Sequence, residues 1–181
     1  MNITVYLGAL EGKLSVLKEC AKELGSWIGH EGHTLVYGGS KNGLMGILAE
    51  SVTTAGGCVI GVEPQMFIDM SVQYEGLTEL IVTKDIDERK RKMIALGDAF
   101  IAFPGGTGTL DEITEIMSLV SLKQLNAPCI LYNLHGYYDH LRGLLEHMKE
   151  TGLSTETRQE GIFFANNIAE IQEILKTHSS L

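Results

Sequence analysis

The stretch "AFIAFPGGTGTLDE", Ala99–Glu112, reads as a continuously apolar strand, a glycine-rich turn and the start of a helix. Continuous apolarity marks a strand buried on both faces, as in parallel sheets. Similar runs bounded by Gly or Pro recur along the chain: "ITVYLGA" from Ile3, "HTLVYGG" from His33, "CVIGVEP" from Cys58, "ELIVTKD" from Glu79 and "PCILYNL" from Pro128. Between them lie segments of helical period, such as Leu14, Leu17, Ala21, Leu24 and Ile28, or Leu141, Leu144, Leu145 and Met148. Such alternation implies right-handed βαβ units and an α/β, doubly wound parallel sheet with helices on both faces. A short strand at Ile162–Ala165 and a helix at Ile168–Lys176 extend it to about seven strands. The 181 residues suit a single domain, 1–181, with a core of its own.

Composition narrows the function classes. The chain is 44% hydrophobic and 20% charged, as soluble globular proteins are. Its net charge of −9 argues against a nucleic-acid partner, which needs clustered Lys and Arg. No apolar run approaches the roughly 20 residues that span a bilayer. No basic leader precedes "MNITVYLGAL" either, so a cytoplasmic protein with no membrane partner is expected. Cys20, Cys58 and Cys129 are odd in number and show no C-x-x-C spacing, which fits small core residues in a reducing compartment. The six histidines lack metal-ligand spacing, so no metal is expected; His135, near the end of the sixth strand, is the one to watch.

In a doubly wound sheet, ligands bind beyond the carboxyl ends of the strands. The glycines gather there: Gly8 after the first strand, Gly38 and Gly39 after the second, Gly105 and Gly106 after the fifth. The dinucleotide fingerprint G-x-G-x-x-G fails, because the first turn reads "GALEG" and the second strand ends in "VYGG" without a carboxylate for a ribose. The P-loop also fails, since "GGTGTLDE" has no lysine. What remains is a glycine turn whose free N–H groups and positive helix end suit one small anion such as a monophosphate. Thr107 and Thr109 add hydroxyl donors.

Helical phase sorts the charged residues. Ile113, Ile116, Met117 and Val120 form the buried stripe of the helix after the turn. Asp111 and Glu115 then point to solvent, while Glu112 falls on the flank of the stripe and faces a cleft. In "DIDERKRKMIALGD", Asp85–Asp98, Ile86, Arg89, Met93 and Leu96 share one face. Arg89 thus sits inside an apolar stripe, where a guanidinium needs a partner or an anion, and Arg91 faces the opposite way.

These features together resemble the LOG ("lonely guy") family of cytokinin riboside 5′-monophosphate phosphoribohydrolases, whose bacterial members often carry the label of possible lysine decarboxylases. The resemblance rests on "PGGTGTLDE" at Pro104–Glu112, which matches P-G-G-x-G-T-x-x-E, and on "ERK" at Glu88–Lys90. It extends to "YGGSKNGLMG" at Tyr37–Gly46, "GDAF" at Gly97–Phe100 and "NLHGYYD" at Asn133–Asp139, in family order. It implies a homodimeric Rossmann-like protein, without cofactor, that hydrolyses the N-glycosidic bond of a nucleoside 5′-monophosphate. Arg89 and Glu112 carry over as the catalytic pair. Lys90 and the turn Gly105, Gly106, Thr107, Gly108 and Thr109 carry over as substrate contacts, with Gly8, Gly38, Gly39 and Ser118 completing the expected set. The first turn departs from the family's usual C-G-S-S, with Ala9 and Leu10 in place of hydroxyl residues, and Ser71 stands where plant members have a glutamate.

Cleavage of the glycosidic bond places positive charge on the ribose, which Glu112 would stabilise while it orients the attacking water. Arg89 would keep Glu112 ionised. A nucleotide or cofactor carrier of the same fold is the alternative reading. The pair Arg89 and Glu112 discriminates, because a carrier needs no carboxylate against the ribose of its cargo. A pyridoxal-phosphate decarboxylase lacks its lysine-centred constellation. Leu119 and Leu122 give the helix after the turn a second apolar edge that a partner subunit could cover.

Overall fold

The computed structural model describes residues 1–178. Seven strands alternate with helices: β1 (Asn2–Tyr6), α1 (Val16–His30), β2 (Thr34–Tyr37), α2 (Gly43–Thr54), β3 (Cys58–Pro64), α3 (Gln65–Ile68), β4 (Glu79–Thr83), α4 (Ile86–Leu96), β5 (Ala99–Ala102), α5 (Thr107–Ser121), β6 (Cys129–Tyr132), α6 (Asp139–Glu150), α7 (Glu156–Gln159), β7 (Ile162–Ala165) and α8 (Ile168–His178). All strand pairs are parallel, in the order β4-β3-β2-β1-β5-β6-β7. The chain winds outward from β1 to β4, then crosses back to β5 and winds the other way. The connections therefore diverge between β1 and β5, and a cleft opens beyond their carboxyl ends.

The pleat of the strands feeds two cores. Ile3, Val5, Leu35, Ile101 and Ile130 point to the face covered by Leu24, Ile28, Leu48, Val52 and Ile171 of α1, α2 and α8. Tyr6, Val36, Val62, Phe100 and Leu131 point to the opposite face, covered by Met93, Ile113, Ile116 and Val120 of α4 and α5. The stripe expected for the helix after the glycine turn is the buried stripe of α5.

Two local expectations are corrected. Leu14, placed in the first helical stripe, precedes α1 and is exposed, because the helix begins only after Ser15. β4 is not a strand buried on both faces: it is an edge strand, and Leu80 and Val82 are exposed on it.

α1 and α2 approach closely because Gly25 has no side chain. A Cβ there would stand 2.6 Å from the Leu48 carbonyl oxygen. Since that oxygen is backbone, Gly25→Val should cost about 1–3 kcal/mol through overpacking. Urea denaturation should show a lower midpoint with an unchanged slope.

Candidate active site

The cleft between the diverging connections has a volume of about 420 Å³. One end is the amino terminus of α5, where Gly106, Thr107 and Gly108 line the cavity. No side chain caps this helix, so its first N–H groups remain open to an anion. The three glycines of the turn have different jobs. A Cβ on Gly106 or Gly108 would meet nothing within 4 Å, so both leave the ligand side open. On Gly105 it would collide with Thr109 and approach the Gly8 amide nitrogen at 3.0 Å, so Gly105 and Gly8 lock the β5 turn against the β1 turn. Thr109 is buried and lines the deep side; Thr107 is exposed.

The "NLHGYYD" segment holds this turn from behind. Tyr138 donates its hydroxyl to the Phe103 carbonyl at 2.9 Å, and Tyr137 donates to that of Gly105. Asn133 accepts from the Tyr138 amide at 2.7 Å and donates to Asp139 at 2.8 Å. His135 is exposed, with φ of 51°, and does not line the cleft.

Arg89 and Glu112 meet in the cleft, with Arg89 Nη2 3.1 Å from Glu112 Oε1. The start of α4 fixes the approach: Asp85 caps the helix by accepting from the Glu88 amide at 2.8 Å, and Glu88 accepts from the Lys84 amide. Arg89 then reaches across the end of β3, where its Nε donates to the Val62 carbonyl at 3.1 Å. Both partners are largely buried. Glu112 Oε1 accepts no aligned hydrogen bond, so the contact is an ion pair with acceptor capacity to spare. Burial raises the Glu112 pKa above the usual carboxylate range, and Arg89 opposes the rise.

Gly38, which lines the cleft, and Gly39, which does not, both make room for this machinery. A Cβ on Gly38 would fall 2.4 Å from Arg89 Nη2, and one on Gly39, whose φ is +84°, 2.6 Å from Cγ of Glu63. Glu63, at the end of β3, is a cleft-lining residue that helical phase could not find. It is fully buried, and neither carboxyl oxygen has a hydrogen-bond partner among the described residues. Burial raises its pKa, again against the pull of Arg89. The signal was present in "CVIGVEP": an acidic residue ends an apolar strand opposite a Gly-Gly pair.

Beyond Glu63 the wall is apolar, formed by Met45, Phe67, Met70 and Val72. Ala9 lines the cleft as well, whereas Leu10 and Ser71 do not. Two expected contacts lie elsewhere. Lys90 is not a cleft residue: it bridges Asp111 at 3.0 Å and Glu115 at 3.1 Å on the outer side of α4 and α5. Those acids therefore clamp two helices together rather than simply facing solvent. Ser118 is exposed, donates to the Thr114 carbonyl at 2.9 Å and borders a separate groove, because it lies along α5 from the glycine turn.

The arrangement defines a Rossmann-like protein with an uncapped helix end beside a buried carboxylate and guanidinium. The chain belongs to the LOG family described as possible lysine decarboxylase, which it matches over residues 45–175. It is 38% identical over 168 residues to the cytokinin riboside 5′-monophosphate phosphoribohydrolase of Rhodococcoides fascians, covering 92% of this chain and 85% of that one. It is 33% identical over 178 residues to the cytokinin riboside 5′-monophosphate phosphoribohydrolase LOG3 of Arabidopsis thaliana, covering 98% and 83%. Among solved structures, the molybdenum cofactor carrier protein of Chlamydomonas reinhardtii superposes with a TM-score of 0.75 at 21% identity, over 99% of this chain and 98% of that one. The molybdenum cofactor binding protein of Rippkaea orientalis gives 0.71 at 24%, over 97% and 95%. At these identities the two carriers share the fold. Pyridoxal phosphate does not fit the cleft, because none of the described residues lining it is a lysine.

The raised carboxyl groups set a pH signature. Each binds its proton more tightly in the folded state, so its contribution to stability is present at acidic pH and is lost as pH rises through the folded pKa. Between about pH 5 and 8 the Tm of Glu63→Gln should therefore fall less than that of the wild type, as followed by differential scanning fluorimetry.

Proposed function

We propose that the protein hydrolyses the N-glycosidic bond of adenosine 5′-monophosphates, including N6-substituted ones, releasing the adenine-type base and ribose 5-phosphate. The observation that carries this reading is the buried Glu112, paired with Arg89 beside an uncapped helix end. The phosphate seats on the N–H groups at Gly106–Thr109, and the base reaches the apolar wall at Phe67, Met70 and Val72. The ribose then lies between them, against Glu112. As positive charge develops at C1′, the Glu112 carboxylate stabilises it and orients the attacking water. Arg89 holds that carboxylate ionised. The curated relatives' names support the same chemistry.

The enzyme acts in this reading as a single domain in the cytoplasm, where its cysteines stay reduced. It works as a homodimer. Support comes from an apolar groove of about 430 Å³ between α5 and α6, on which Leu122 and Leu144 are 60% and 49% exposed.

Glu112→Gln should lower base release from AMP by about 10²–10³-fold, with the Kd for AMP measured by calorimetry nearly unchanged. Retained turnover would remove Glu112 from the chemistry. Equal cleavage of adenosine and AMP would exclude the phosphate seat, since remote binding energy would then contribute nothing. Leu144→Glu should halve the mass seen by light scattering; an unchanged mass would place the dimer contact elsewhere.

A further inference from the structure

Glu63 is a second buried acid in the cleft, and the mechanism above leaves it unused. It sits at the end of β3, two strands from β1, on the side away from the β5 phosphate turn. With strands about 4.8 Å apart, β3 lies some 14 Å across the sheet from β5, a span on the scale of a nucleoside monophosphate. Its neighbours along the wall are the apolar side chains Phe67, Met70 and Val72. A nucleotide phosphate at the α5 terminus therefore brings its base to Glu63.

The two acids divide one cation unequally. Glu112 lies 3.1 Å from the guanidinium, while Glu63 has neither an ion-pair nor a hydrogen-bond partner among the described residues. Arg89 from α4 and the Tyr37 phenol from β2, whose hydroxyl is engaged with the Ser40 carbonyl, are the titratable groups coupled to Glu63. One positive charge neutralises one carboxylate, so the unpaired acid keeps its proton. Burial raises the pKa of both acids against the pull of Arg89, so the pairing geometry makes the assignment.

We propose that Glu63 is the proton donor to the departing base, completing a two-carboxyl site in which Glu112 serves the ribose and the water. This rests on the phosphoribohydrolase reading. As the C1′–N9 bond breaks, its electron pair goes to the purine, and the Glu63 carboxyl proton is transferred to a ring nitrogen of that base. The water oxygen bonds to C1′ while its proton passes to Glu112. Proton return from Glu112 to Glu63 through solvent resets the site. The buried carboxyl, without a partner among the described residues, gains one when the base arrives.

Two readouts test this. Glu63→Gln should slow base release from AMP by about 10²–10⁴-fold. On 4-nitrophenyl riboside 5-phosphate, whose leaving group departs as a stable anion, the loss should stay within about threefold, whereas Glu112→Gln should lose on both. Independently, ¹³C NMR of protein labelled at the glutamate carboxyls should show at pH 7 a neutral carboxyl that disappears in Glu63→Gln and persists in Glu112→Gln. Equal losses on the two substrates, undiminished AMP turnover, or an ionised Glu63 would each overturn the proposal. If the nitrophenyl compound is not cleaved, AMP turnover and the NMR signal decide. Failure of the wild type to release base from any nucleotide monophosphate would instead overturn the functional reading and the transfer step with it, while the NMR signal still reports Glu63 alone.

Discussion

Burying one guanidinium beside two carboxyl groups is the constraint on which the site depends. Arg89 is paired with Glu112, donates to the carbonyl next to Glu63 and pulls down the pKa of both acids. A buried ion pair contributes little net stability, because desolvation offsets its attraction, while removing one partner costs about 3–5 kcal/mol. An apolar trio would hold the same elements together as well. What Arg89, Glu112 and Glu63 supply instead is a preorganised polar site at the place where a ribose cation and a leaving base would form.

The fold makes that arrangement possible by bringing distant segments to one edge. β3, the start of α4 and the first turn of α5 all end at the divergence of the connections around β1 and β5. The glycines then remove side chains where charged ones must pass. Gly38 makes room for Arg89 and Gly39 for Glu63, while Gly105 and Gly8 bring the glycine turn after β5 close against the turn after β1. Within the turn, Gly106 and Gly108 face open space while Gly105 packs, so its glycines divide between packing and leaving the cleft side open.

The sequence made some of this legible and hid the rest for physical reasons. Strands β1, β2, β3, β5 and β6 announced themselves because burial on both faces demands unbroken apolarity. β4 has an apolar run of the same kind yet lies at an edge, and hydropathy does not separate the two cases. Helical phase located Arg89 and Glu112, since a charge inside an apolar stripe is conspicuous. It could not locate Glu63, whose strand places successive side chains on alternate faces, so its destination depends on strand order. Lys90 and Ser118 are expected on the substrate, but Lys90 is drawn to Asp111 and Glu115 and Ser118 to its own helix backbone. Such partners become visible only once the packing of α4 against α5 is known.

The most direct test of the central claim is the fate of the water oxygen. AMP incubated with the protein in H₂¹⁸O and followed by mass spectrometry should yield free adenine and ribose 5-phosphate carrying one ¹⁸O at C1, with none in the phosphate group. Label appearing in inorganic phosphate, or AMP recovered intact and bound, would contradict a site built to break the C1′–N9 bond.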